Sequence, residues 1–177
     1  MTARSRRPRW WGGQGHIVFT IVVFVVLASL DNAALAVIPG MINPLEETLR
    51  TSDIALGALT GVSILITALS SVPWGYLGDR TARKALLFWG TLIWSAGSML
   101  TATADSYATL FTWQMITALG LGAVASVGFS VVSDLVRPER RGLALSFWGL
   151  SQGIGTMIGG LMSSQLGADN VRMPFLV

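Results

Sequence analysis

The chain has 177 residues, of which 52% are hydrophobic and only 12% are charged, and its mean hydropathy is +0.62. Soluble domains are usually about 25% charged, because polar groups must cover their surface. The composition therefore excludes an ordinary soluble domain and favours a chain whose apolar face has lipid as its solvent. There is no cysteine and only one histidine, which excludes disulfides, thiolate chemistry and cysteine metal sites.

A basic segment comes before the first apolar run. Residues 1–16 include four arginines in the first ten positions, followed by two tryptophans. Arginines suit anionic lipid headgroups and indoles prefer the membrane interface, so we interpret residues 1–16 as a basic cytoplasmic segment beside the bilayer. Nothing folded accompanies these arginines, and nucleic acid is not a predicted partner. The apolar run continues past Asp31 without a small-residue cleavage site, which favours a retained first helix over a signal peptide.

Five apolar segments are long enough to cross a bilayer, which takes about 20 mostly apolar residues in a helix. They are residues 17–40, 54–78, 85–104, 107–132 and 142–166, and a sixth segment starts at Met173. Ser52 and Ser106 are the predicted N-caps of the second and fourth spans. The sequence thus predicts an all-α integral membrane protein in which residues 17–177 form a transmembrane helical bundle.

The loops between these spans alternate in charge. The second loop has one acid and three bases and the fourth has two acids and three bases, whereas the first has three acids and one base. Because Lys and Arg mark cytoplasmic loops, we expect the N-terminus and the second and fourth loops to be cytoplasmic. The predicted location is the cell membrane, and the lipid bilayer is the first predicted partner.

The second loop carries a pattern that a simple basic turn does not explain. It reads Gly75-Tyr76-Leu77-Gly78-Asp79-Arg80-Thr81-Ala82-Arg83-Lys84. A cytoplasmic turn accounts for the bases, but not for two glycines and an acid at fixed positions. Gly75 and Gly78 permit a close helix contact and a tight exit from the membrane. Asp79 lies four residues before Arg83, with which it can pair.

This pattern resembles the signature between the second and third helices of the major facilitator superfamily, roughly G-x-L-[AG]-D-[RK]-x-[GA]-R-[RK]. The resemblance implies the N-terminal six-helix half of that fold, with its sixth helix truncated. It also implies a secondary transporter that moves a small-molecule substrate by alternating access, coupled to a proton or another cation. The C-terminal half would be a missing partner, so we expect a truncated or partial gene product.

In this family the charges of the second loop act as a conformational latch that holds the cytoplasmic side closed. The fourth loop, residues 137–142, resembles the P-x-x-R-[RG] loop of the same family, and Asp134 precedes it. The resemblance therefore implies a latch formed by charged residues and glycines of both loops. These are Gly75, Gly78, Asp79, Arg80, Arg83, Lys84, Asp134, Arg140 and Arg141.

Other family patterns are matched in part. Residues 120–123 resemble the end of R-x-x-x-G-x-G-A, but Ile116 replaces the arginine, which argues against proton coupling through the fourth helix. Residues 155–160 resemble the antiporter pattern G-P-x-x-G-G, but Thr156 replaces the proline, which argues against a drug antiporter. The run from Leu30 to Pro39, with residues 75–80, resembles Spinster-type lipid transporters. Their D-R pair in the first helix and the glutamate of G-x-G-E-A are absent.

Asp31 lies well inside the first span. A charged side chain at the bilayer centre costs about 2.5–3.5 kcal/mol on insertion scales, so such residues usually face a water-filled cavity or a partner. The functional hypothesis is a site for a proton, a cation or a cationic substrate. The alternatives are a carboxylate satisfied by Asn32, or a position near the outer interface. Gln114 of the fourth span and Gln152 of the fifth are further candidates for this site.

Small residues recur along the fifth span at spacings of three and four, which places them on one helix face. They are Ser146, Gly149, Gly153, Thr156, Gly160 and Ser163, and the neighbouring Gly155 and Gly159 widen the face. Such a face lets another helix approach closely in lipid, so we predict a role in helix packing. Gly57 and Gly61 form a similar pair in the second span.

Two other classes of function compete with transport. A membrane-embedded enzyme would need a nucleophile with its base, a metal cluster or a phosphate-binding loop, and the sequence has none of these patterns. We therefore predict no catalytic residue, metal site or cofactor. The second alternative is a non-transporting membrane fragment or a helix-packing partner, which the coding DNA beyond Val177 would distinguish from a transporter.

Overall fold

The structure is a computed structural model that describes residues 14–136, 138, 141–169 and 171–175. Every regular element in this part of the chain is helical, as the sequence predicts. In chain order the elements are α1 (Gln14–Gly40), α2 (Ile42–Leu49), α3 (Asp53–Gly78), α4 (Arg83–Thr101), α5 (Tyr107–Ala123), a π-helical turn (Val124–Gly128), α6 (Phe129–Leu135), α7 (Arg141–Asp169) and a 3₁₀ turn (Met173–Phe175).

The two predicted N-caps are confirmed by hydrogen bonds. The Ser52 hydroxyl accepts a bond of 3.3 Å from the Ala55 amide, and the Ser106 hydroxyl accepts one of 3.3 Å from the Thr109 amide. Each cap satisfies an amide in the first turn of its helix that has no partner within the helix. The start of α3 and that of α5 are therefore fixed by local chemistry.

Three helical stretches of the described residues are long and apolar enough to cross a membrane, namely Ile21–Gly40, Asp53–Gly78 and Tyr107–Val131. The third runs without a break from α5 through the π-helical turn into α6. At about 1.5 Å per residue, the 19 residues of α4 and the 29 residues of α7 extend for roughly 28 and 43 Å. Both are less apolar than the other three, and the five-span topology stays a prediction.

Helix α1 packs against α7, and α5 packs against both α3 and α4. The α1–α7 contact is close because Gly155 and Gly159 of α7 have no side chain. A Cβ atom at Gly155 would collide with the carbonyl oxygen of Ser29, and one at Gly159 with that of Ala33. The Ser29 hydroxyl also donates a hydrogen bond of 3.0 Å to the carbonyl oxygen of Ser151. Gly155 and Gly159 thus lie where the backbones of α1 and α7 approach each other closely.

The contact face of α7 differs from the face that the spacing of small residues predicts. A Cβ atom at Gly149, Gly153 or Gly160 would meet no atom within 4 Å in the part of the chain that the structure describes. The face against α1 is a row at spacings of four, which includes Gly155 and Gly159. Of the predicted row, Ser163 is buried against Gly40 of α1, whereas Gly149 and Gly153 are exposed, and packing at these two glycines stays a prediction. Gly57 and Gly61 have equally open surroundings.

The bundle has two ends with different chemistry. The basic end contains the loop between α3 and α4 and the start of α7. The opposite end contains α2, which packs Leu45 into a buried cluster with Met41 and Leu56. There the Tyr107 hydroxyl donates a hydrogen bond of 3.0 Å to the carbonyl oxygen of Ala55, and Arg172 pairs with Asp105.

Candidate functional site

Asp31 lies inside the bundle, with only 6% of its surface exposed. It lines a cavity of about 200 Å³ that is bounded by α1, α3, α5, the π-helical turn and α7. Asn32 and Gln152 line the same cavity, so the structure brings together three of the four polar residues predicted for this site. Asp31 precedes the end of α1 at Gly40 by nine residues, or about 13 Å. Asp31 therefore lies well inside α1, and its depth relative to the outer membrane interface stays a prediction.

The carboxylate of Asp31 keeps an open acceptor. Its Oδ1 atom is buried and has no hydrogen-bond partner among the described residues. Asn32 does not fill this role, because its amide donates to the carbonyl oxygen of Ala28 at 2.9 Å. The Thr67 hydroxyl, on the α3 side of the cavity, donates to the carbonyl oxygen of Ser63 at 2.9 Å. A buried acceptor without a donor is expensive, and it marks a site suited to a proton or a ligand.

Gln114 lies outside this cavity. It is buried between α4 and α5, and its Nε2 atom donates a hydrogen bond of 3.2 Å to the hydroxyl of Thr101. The register of α5 thus turns the amide towards α4, so Gln114 is satisfied by the packing of the bundle. The structure does not bring it to Asp31.

Arg83, the first residue of α4, links the end of α3 to α6 at the basic end. Its guanidinium lies 3.9 Å from the carboxylate of Asp79 and donates a hydrogen bond of 2.6 Å to the carboxylate of Asp134. A second hydrogen bond, of 3.4 Å, runs from its Nε atom to the carbonyl oxygen of Gly78. Both carboxylates are more than half exposed, so these pairs are accessible to solvent or to another part of a longer protein.

The two glycines of the second-loop pattern border a cavity of about 180 Å³ beside Arg83. A Cβ atom at Gly78 would lie 3.2 Å from a methyl group of Val127, so a larger residue would press α3 against the π-helical turn. At Gly75 the nearest atom, in the side chain of Ser126, is 3.8 Å away and leaves room for a methyl group. The close contact expected of both glycines is thus seen at Gly78.

The other basic residues of the predicted latch differ from Arg83 in what they contact. Arg80 places its guanidinium 4.2 Å from the ring centroid of Tyr76, a cation–π contact. Lys84 and Arg141 are exposed at the same end. Arg140 lies outside the described residues. The structure therefore joins Arg83 to both acids of the predicted latch, and it places Arg80 on an aromatic face.

No pattern in the sequence singles out Trp148, which also lines the Asp31 cavity. The indole is 6% exposed and forms a buried cluster with Phe24 and Ala28 of α1. Its position, four residues before Gln152 on α7, is the one feature of the sequence that places it on the cavity face. The sequence does not predict the π-helical turn either, because nothing in the composition of residues 124–128 departs from an ordinary helix.

An acidic pair lies apart from this site, at the opposite end of the bundle. A side-chain hydrogen bond to Asp53 raises the pKa of Glu46 above its ordinary value, and the negative charges of Asp53 and Glu47 raise it further. Glu46 is partly exposed on α2, between the first two candidate spans. This pair is a feature of the solvent-facing surface and has no contact with the Asp31 cavity.

Known proteins with similar sequences indicate the family of this chain. A family model described as Major Facilitator Superfamily matches residues 5–177. The inner membrane transport protein YajR of Escherichia coli (strain K12) is 29% identical over 171 residues, which are 94% of this chain and 35% of that protein. Protein spinster homolog 3 of Mus musculus is 28% identical over 162 residues, which are 89% of this chain and 30% of that protein.

A solved structure has the same fold. The crystal structure of a bacterial homolog to human lysosomal transporter Spinster, in an inward-facing and unoccupied conformation, matches with a TM-score of 0.77. Its sequence is 22% identical, and the match covers 84% of this chain and 31% of that one. This likeness concerns the fold alone. The chain spans about a third of the length of the relatives that it matches.

Proposed function

Because the chain belongs to the major facilitator superfamily, a family of membrane transporters, we propose that it is the N-terminal half of a secondary transporter for a small molecule. Members of this superfamily consist of two six-helix halves, and the substrate binds near the bilayer midplane between them. A chain that spans about a third of its relatives would supply one wall of that binding site. The other wall would come from a C-terminal half in the same longer protein.

Asp31 is the proposed site of coupling. The observation that carries this proposal is the buried carboxylate with an open acceptor on the wall of the 200 Å³ cavity. A hard metal cation takes several oxygen ligands, whereas a proton needs only one basic atom. The cavity also contains the amides of Asn32 and Gln152 and the hydroxyl of Thr67, but Asp31 is the one carboxylate among its described lining residues. A single proton neutralises that carboxylate, so the proposed coupling ion is a proton.

The charges of the basic end are proposed to form a latch on the cytoplasmic side. Arg83 holds Asp79 and Asp134 together, and both acids remain exposed. In an outward-open state, the same groups would face the C-terminal half and hold the cytoplasmic side closed. Alternating access would then require Arg83 to exchange partners between the two states.

Transport by the complete protein is tested in proteoliposomes loaded with the pH-sensitive dye pyranine. Members of a panel of organic anions, organic cations and lysolipids are added one at a time outside the vesicles. We expect at least one compound to cause proton movement that empty vesicles do not show. No proton movement and no uptake of any radiolabelled member of the panel would contradict the proposal.

A further inference from the structure

The Asp31 cavity ends in an aromatic wall on the side of the basic end. Trp148 lines this cavity together with Ala28, which lies one turn before Asp31 on α1. Phe24, a further turn along α1, packs against both in a buried cluster. Phe129 approaches the Trp148 ring edge to face, with 6.5 Å between the ring centroids. Since α1 and α7 both start at the basic end, this cluster lies between Asp31 and that end of the bundle.

Gly128 provides the space for the indole. A Cβ atom at Gly128 would lie 3.1 Å from the Cη2 atom of Trp148, closer than most real contacts. Gly128 is also the last residue of the π-helical turn. The same turn contributes Ala125 to the Asp31 cavity and Val127 to the cavity beside Arg83. A π-helical turn inserts an extra residue into a helix and occurs frequently at functional sites.

We propose that Trp148 is a positioning residue that closes the Asp31 cavity towards the basic end of the bundle. The inference rests on the proposed function, in which Asp31 exchanges a proton with one side of the membrane at a time. An apolar ring beside a carboxylate keeps water away from that side. While the Trp148 ring packs against Gly128, Asp31 exchanges its proton with the side of the membrane opposite the basic end. When the ring moves away, a path for the proton opens from the basic end.

The test measures access to position 31 directly. The chain contains no native cysteine, so Asp31→Cys gives a unique reporter once any cysteines elsewhere in the complete protein have been replaced. Its reaction with a charged, membrane-impermeant methanethiosulfonate reagent is followed in vesicles that expose the basic end. Trp148→Ala should raise the reaction rate about tenfold, because an opening that costs about 1.4 kcal/mol less is populated ten times more. Trp148→Phe should leave the rate close to that of the parent.

A second reporter separates gating from loss of packing. Ser163→Cys is fully buried on the same helix, near Gly40 at the opposite end of the α1–α7 interface. Its labelling should not change in the Trp148→Ala background. If labelling rises equally at both positions, the indole merely holds the two helices together and the proposal is overturned. An unchanged rate at position 31 in both Trp148→Ala and Trp148→Leu overturns it as well.

The labelling assay needs neither a transported substrate nor the carboxylate itself. A negative result therefore removes the role of Trp148 and leaves the proton site standing. Conversely, the proton site fails if Asp31→Asn leaves pH-dependent transport unchanged, whatever the labelling shows. The two failures are thus distinguishable.

Discussion

At the scale of single residues, Arg83 lies much closer to the carboxylate of Asp134 than to that of Asp79. Its guanidinium is 2.6 Å from Asp134 and 3.9 Å from Asp79. In a double-mutant cycle of thermal unfolding in detergent, we expect the Arg83–Asp134 coupling to exceed the Arg83–Asp79 coupling. Both should fall within the range of about 0.2–1 kcal/mol that exposed pairs show. A larger coupling to Asp79 would contradict the geometry described for this loop.

The residue-scale features were predictable to different degrees. Asp79 caps the end of α3 and Arg83 begins α4, so the two residues flank one short turn and lie near each other however the bundle packs. The bond from Arg83 to Asp134 depends on how α4 meets α6. The positive charge of the second and fourth loops predicts only that both loops lie at the same end of the bundle. The sequence predicts Gln114 as a candidate for the Asp31 site, whereas the structure turns its amide towards Thr101 of α4, because helix register cannot be read from a span that is apolar on all sides.

At the scale of elements, the two glycine rows of α7 should respond in opposite ways to the same substitution. Gly159→Ala places a methyl group against the carbonyl oxygen of Ala33, and such overpacking typically costs about 1–3 kcal/mol. Gly153→Ala meets no neighbour within 4 Å in the described chain, and alanine favours a helix over glycine by up to about 1 kcal/mol. Thermal unfolding of the two purified variants should show a loss for Gly159→Ala alone. Equal losses would show that both rows are packed.

Sequence periodicity could not decide between these rows. The row that starts at Ser146 and the row through Gly155 and Gly159 both recur every three or four residues, and both fit a helix face. The choice depends on the partner, since α1 presents backbone carbonyls at Ser29 and Ala33 to the second row. The five apolar segments, by contrast, were predictable as helices from length and composition, and two starts were predictable from their capping serines.

At the scale of the whole molecule, the basic end should face the cytoplasm. Three bases of the second loop lie at this end, and the rule that Lys and Arg mark cytoplasmic loops sets the expected orientation. Ala85→Cys should therefore react with an impermeant thiol reagent in inside-out vesicles and not in intact cells. Thr51→Cys, at the opposite end, should show the reverse. Labelling of Ala85→Cys in intact cells would contradict this orientation.

Many large apolar side chains face outwards in the part of the chain that the structure describes, among them Ile54, Val72 and Phe19. A bundle that exposes such residues is suited to lipid on one side and to a second half of the protein on the other. The Asp31 cavity lies inside this bundle, between α1, α3, α5 and α7. The proposed role of this cavity is therefore to be tested in the complete protein.

The most direct measurement is substrate-dependent proton movement by the complete protein with Asp31→Asn, which keeps the size of the side chain and removes its titration. We expect the proton movement to be lost, while Asp105→Asn, which removes an exposed acid far from the cavity, retains it. Transport in the Asp31→Asn variant should also lose its dependence on pH. An Asp31→Asn variant whose proton movement and pH dependence match those of the parent would contradict the proposed coupling site.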